Sequence, residues 1–98
     1  MRERVLLVDD ESTVCEVLEL VLQPSGFDTV SVGSCAAARD EARHGRYTAA
    51  LIDKNLPDGS GVELLSELRT CVPDTALLIM TGYSSFDTAV MAMRMGAS

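Results

Sequence analysis

Three aspartates stand where apolar runs stop. Asp9 and Asp10 follow Arg4-Val5-Leu6-Leu7-Val8, and Asp53 closes the stretch that starts at Tyr47. Carboxylates gathered from such positions offer hard oxygen ligands and little else. Two unit charges about 4 Å apart repel by roughly 4 kcal/mol at an effective dielectric near 20, so protons or a cation must relieve the site. A hard divalent ion suits an all-oxygen set, and Mg²⁺ takes one or two carboxylates together with waters and phosphate oxygens. Asp9, Asp10 and Asp53 therefore read as a Mg²⁺ site with room for a phosphoryl group. The plainer alternative is that each acid merely favours the positive end of the helix that follows it. A lone aspartate would leave that alternative ahead, but three acids at the ends of two strands make it the weaker reading.

The elements that must position these acids alternate along the chain. Residues 4–9 form a β-branched and leucine-rich run that ends at acids, as a buried parallel strand does. From Ser12 to Gln23, Val14, Val17, Leu18, Val21 and Leu22 recur at helical spacing, with Thr13 and Glu16 placed for a capping box. Pro24-Ser25-Gly26 ends that segment. Phe27 to Val32 reads as a second strand, and Ser34 is placed to cap a helix from Cys35 to His44, closed by Gly45. Tyr47 to Asp53 is a third strand, Leu56 to Gly61 a loop, and Ser60 with Glu63 a capping box for a helix through Arg69. Ala76 to Met80 is a fourth strand, residues 81–84 a loop, and Ser84 with Asp87 caps a last helix that runs to about Met95. This βαβαβαβα order implies an α/β, doubly wound parallel sheet with helices on both faces and right-handed crossovers. In such sheets ligands bind outside the carboxyl ends of the strands, where strand order reverses. Spacing alone does not fix the strand order. The flavodoxin-like order, a common one for doubly wound sheets, sets the reversal between the first and third strands, where all three acids converge.

The bulk composition fits one domain. The chain has 98 residues, 47% of them hydrophobic and 23% charged. Eight Lys plus Arg against fifteen Asp plus Glu leave a net charge of −7, which repels phosphate backbones and argues against direct nucleic-acid binding. No apolar run approaches the roughly 20 residues that span a bilayer. The apolar run after Arg4 is too short for a signal-peptide core, so the expectation is a cytoplasmic protein. Cys15, Cys35 and Cys71 lack CxxC spacing and read as reduced, mostly structural thiols. Neither GxGxxG after the first strand nor GxxxxGK[ST] is present. A flavin phosphate would be repelled by Asp9 and Asp10, and Asp53-Lys54-Asn55 lacks the second acid of aspartate-based phosphatases.

With those pieces in place, the chain resembles the receiver domains of two-component response regulators. The resemblance rests on Val8-Asp9-Asp10-Glu11, on Asp53-Lys54-Asn55-Leu56-Pro57-Asp58-Gly59-Ser60-Gly61-Val62-Glu63-Leu64-Leu65, and on Met80-Thr81-Gly82-Tyr83. Thr88-Ala89-Val90 through Met95-Gly96-Ala97 fits as well. Each piece alone is weak; all four in order, across the whole chain, are specific. The stretch from Thr81 to Ser85 looks most similar to receivers of sigma-54-dependent transcription activators.

The resemblance implies roles. Asp53 would attack the phosphohistidine of a histidine kinase and carry the phosphoryl group, with slow self-dephosphorylation in place of true turnover. Asp10 and Asp53 would bind Mg²⁺ directly, Asp9 largely through water, and Asn55 through its backbone carbonyl. Thr81 would move to bond a phosphoryl oxygen, and an output domain, expected to act in transcription, would respond. Lys54, the chain's sole lysine, is expected to be solvated, and His44 to sit at a helix end, where a cation is favoured.

The chain also departs from the family. Receivers have a fifth strand and helix carrying a lysine and an aromatic switch residue, and this sequence stops at Ser98, so residues 1–98 are expected to be a C-terminally incomplete receiver of strand order 2-1-3-4. The 76–80 strand would then lie at a sheet edge. The 85–95 helix, rich in Phe86, Val90, Met91, Met93 and Met95, would favour a homodimer. The alternative from another class is a non-phosphorylated receiver-like interaction module.

Overall fold

A computed structural model of the chain describes residues 3–80. Its elements are β1 (Glu3–Val8), α1 (Ser12–Leu22), a 3₁₀ turn (Gln23–Ser25), β2 (Phe27–Val32), α2 (Cys35–His44) and β3 (Ala49–Asp53), followed by β4 (Asn55–Leu56), β5 (Gly59–Ser60), α3 (Gly61–Cys71) and β6 (Ala76–Met80). The long strands form one parallel sheet in the order β2-β1-β3-β6. This is the expected flavodoxin-like order, with β6 as the fourth long strand.

The continuous apolar runs of β1 and β3 follow from burial on both faces. Val5, Leu7, Ala49 and Leu51 point to one face, where they meet Cys15, Leu18 and Leu22 of α1. Leu6, Val8, Ala50 and Ile52 point to the other, against Cys35 and Ala38 of α2 and Leu64 and Leu68 of α3. A strand covered on both sides has no polar face to alternate with. The apolar side chains of the central strands are at most 2% exposed.

Local details differ from the sequence reading. The Thr13–Glu16 capping box does not form, because α1 begins at Ser12 with Glu11 as its N-cap and no side-chain cap bond. The Asp9 carboxylate instead takes the Glu11 amide, at 2.9 Å. β3 starts at Ala49, not Tyr47, and α3 runs on to Cys71. The stretch read as a loop holds a short antiparallel hairpin, with Asn55 opposite Ser60 and Leu56 opposite Gly59. Ser60 does cap α3, but through the Val62 amide and not through the Glu63 amide of a capping box. Ser34 caps α2 as expected, accepting from Ala37 at 3.1 Å. Gly26 closes the 3₁₀ turn at φ 100, a left-handed conformation that favours glycine.

Tyr47 closes the far end of the sheet from the acids. It is 8% exposed, donates its hydroxyl to Glu41 Oε2 at 2.6 Å and accepts from Arg4 Nη2 at 3.3 Å, with the Arg4 guanidinium 4.6 Å from its ring centre. Burial, then the bond to Glu41, pushes its phenol from 10.0 up to about 12. The folded chain thus holds this proton more tightly than the unfolded one. The stabilisation is complete below pH 10.0 and is lost as pH rises through about 12. Denaturant midpoints measured across this window should fall with pH in the wild type and fall less steeply in Tyr47→Phe. Parallel slopes for the two proteins would contradict this reading.

Candidate metal and phosphoryl site

The register of the sheet builds the site. Val8 on β1 pairs with Ile52 on β3, so Asp9 and Asp53 leave adjacent strands side by side at their carboxyl ends. The Asp9 amide continues the ladder to Val32 of β2 at 3.0 Å, which holds the end of β1 in place. Asp9, Asp10 and Asp53 each present a carboxylate oxygen within 4.8 Å of the others. Asp9 is buried, Asp53 half-buried and Asp10 exposed, so the cluster opens to solvent on the Asp10 side.

The electrostatics of the cluster call for a cation. Burial raises the Asp9 pKa above the ordinary aspartate value, and this outweighs the stabilising bond from the Glu11 amide. The neighbouring charges of Asp53, Glu11 and Asp10 push it in the same direction. Anionic oxygens this close, one of them desolvated, bind a proton or a positive ion more readily than isolated carboxylates do. All three donors are hard oxygens, the set that suits Mg²⁺ or Ca²⁺ and not a thiophilic metal.

Asp53 is held rigidly from behind. The Lys54 amide donates to Met80 of β6 at 3.1 Å, and the Lys54 carbonyl accepts from Gly61 at 2.8 Å. The first residue of α3 therefore seats directly on the end of β3. A β-carbon at Gly61 would collide with the Asp53 carbonyl oxygen and lie 3.1 Å from Ile52 Cγ2. Glycine here is a matter of backbone approach, not of unusual φ.

The sequence reading brought Asp9, Asp10 and Asp53 together, and the structure does the same. Asn55 is the first residue of β4, exposed, two positions beyond Asp53. Lys54 is exposed, as expected, and His44 ends α2 with its ring nitrogen 2.8 Å from the Asp40 carbonyl. Cys15 and Cys35 are buried and Cys71 is exposed. Thr81 and the 85–95 helix lie outside the described residues. The sequence reading missed Gly61 and Asp58. The Asp58 carboxylate accepts from the Cys35 and Ala36 amides at 2.7 and 3.0 Å. The residues it meets are more than twenty positions away, so no local pattern announces this contact.

Residues 5–98 match the response regulator receiver domain, and the chain belongs to that family. It is 36% identical over 96 residues to the response regulator protein PilR of Pseudomonas aeruginosa, covering 98% of this chain and 22% of PilR. The chain thus spans about a fifth of that relative. A solved response regulator from Burkholderia pseudomallei, with a phosphorylated aspartic acid and a calcium ion, superposes with a TM-score of 0.77 at 28% identity, covering 97% of this chain and 56% of that one. Response regulator protein TrrA of Thermotoga maritima, in complex with Mg²⁺ and BeF, gives 0.77 at 27% identity, covering 94% and 80%. Among the described residues, no helix is long and apolar enough to cross a membrane.

Proposed function

We propose that the chain is the phosphoacceptor receiver of a two-component response regulator, phosphorylated on Asp53 by a histidine kinase and controlling an output domain in transcription. The observation that carries this is the cluster of three carboxylates within 4.8 Å at the carboxyl ends of adjacent parallel strands. Similar proteins carry a phosphorylated aspartic acid with calcium, or Mg²⁺ with BeF, which fits such a cluster. Asp10 and Asp53 would hold Mg²⁺ directly, Asp9 largely through water, and Asn55 through its carbonyl. Bound Mg²⁺ supplies positive charge against the transferring group, the main help such a reaction needs. A carboxylate oxygen of Asp53 forms the new bond to phosphorus, and the bond from phosphorus to the kinase imidazole nitrogen breaks, its electron pair staying on that nitrogen. Thr81 would then bond a phosphoryl oxygen. The net charge of −7 argues against nucleic-acid binding by this domain, and a cytoplasmic setting and a homodimer complete the reading.

The test is direct. The chain is incubated with Mg²⁺ and a small phosphodonor at saturating concentration and weighed by mass spectrometry. One phosphoryl group should be added to the wild type and none to Asp53→Asn. An adduct that survives in Asp53→Asn would move the acceptor elsewhere. No adduct at any Mg²⁺ level would favour the non-phosphorylated interaction module. Extent of incorporation, not rate, is the quantity to read.

A further inference from the structure

We infer that Asp58 is a positioning residue for the metal site, acting through Asn55. The inference rests on the phosphoacceptor reading above and extends it to a residue outside the acidic cluster. Asp58 lies in the turn between β4 and β5, which pair Asn55 with Ser60 and Leu56 with Gly59. Its two carboxylate oxygens accept from the Cys35 and Ala36 amides at 2.7 and 3.0 Å, the first two helical residues of α2. Ser34 takes the third amide, that of Ala37. Three of the amides that a helix start leaves unpaired are thus satisfied, two of them by a residue from another part of the chain.

The bond pair ties together two segments that border the site. α2 follows β2, and Gly33 before it lies against Asp10 Cα and the Asp9 carbonyl, at 3.8 and 4.0 Å from where a β-carbon would stand. The hairpin follows Asp53 directly. One carboxylate therefore joins the segment that carries Asn55 to the segment that rests on Asp9 and Asp10. The hairpin also passes close to the start of α2, since a β-carbon added at Gly59 would stand 3.4 Å from Cys35 Sγ. A charged acceptor on two backbone amides is a strong and directional contact. A two-residue ladder is too short to hold its own geometry in water; the bond from the Gly61 amide to the Lys54 carbonyl closes its base, and the Asp58 anchor fixes its tip.

The experiment measures Mg²⁺ affinity by calorimetry on the 98-residue chain, well below its melting temperature, with thermal melts recorded alongside. Groups that orient metal ligands typically change affinity by 10- to 100-fold, and the lower end applies where one backbone ligand among several is loosened. Asp58→Ala should bind Mg²⁺ about tenfold more weakly than the wild type. Asp58→Asn keeps one acceptor oxygen and should fall between the two. Ser34→Ala removes the other side-chain cap of the same helix and should lower the melting temperature while leaving Mg²⁺ affinity unchanged. Wild-type affinity in Asp58→Ala overturns the inference. So does a loss in Ser34→Ala as large as in Asp58→Ala, because helix stability would then explain both. If Asp58→Ala does not fold, the comparison of Asp58→Asn with Ser34→Ala decides. A wild-type chain that binds no Mg²⁺ removes the metal site itself, and the inference with it.

Discussion

Asp53→Asn is expected to raise the stability of the metal-free chain and to lower it relative to wild type once Mg²⁺ is added. The first effect follows from the cluster, in which three carboxylates come within 4.8 Å and one of them, Asp9, is buried. Coulomb's law sets the repulsion of one such pair at roughly 3 kcal/mol for an effective dielectric near 20. Solvent at the open side, where Asp10 is exposed, screens most of that, so relief of about 1 kcal/mol is the reasonable magnitude. In a domain of this size that corresponds to a melting temperature about 4–8 °C higher. The second effect is mass action. Mg²⁺ at about a hundred times its dissociation constant adds about 2.7 kcal/mol to a fold that binds it, and far less to a variant missing a ligand. The order of the two melting temperatures should therefore reverse between chelator and Mg²⁺. An Asn variant that is less stable in both buffers would mean that Asp53 is held for the fold and not for a cation.

Gly61→Ala should cost about 3 kcal/mol, near the upper end for overpacking, and lower the melting temperature by about 12–24 °C. The added methyl meets the Asp53 carbonyl, which is backbone at the end of a buried strand and cannot rotate away. Shifting α3 to make room would also stretch the bond from the Gly61 amide to the Lys54 carbonyl, now 2.8 Å. Gly26→Ala is the useful comparison. Nothing lies within 4 Å of its β-carbon position, so only its φ of 100 is penalised, at about 1 kcal/mol. Thermal melts of the two variants should separate clearly, and the Gly61 variant should also incorporate less phosphoryl group, because Asp53 moves with its own carbonyl. Equal melting temperatures for the two would refute the close-approach argument.

Much of this arrangement is legible in the sequence. The runs at β1 and β3, the helical spacing of Leu18 and Leu22, and the Ser34 cap are local patterns with local causes. The errors are local too. Thr13 and Glu16 have the right spacing for a capping box, but the Glu11 amide is claimed by the carboxylate of Asp9, and the helix starts at Ser12. The hairpin of β4 and β5 is too short to leave a periodic signature, so Leu56 to Gly61 reads as loop.

By itself, the sequence determined the class of the fold, the two strand ends that carry acids and the chemistry those acids suit. These depend on side-chain type, on unbroken apolar runs that stop at acids and on the 3.6-residue period of the helices, all local features of the chain. Tertiary structure alone decided the 4.8 Å closeness of the three carboxylates, the demand for glycine at position 61 and the reach of Asp58 to the start of α2. Each of these depends on how segments far apart in the chain are set side by side. That placement is the product of packing a whole sheet between helices, and no short stretch of sequence encodes it.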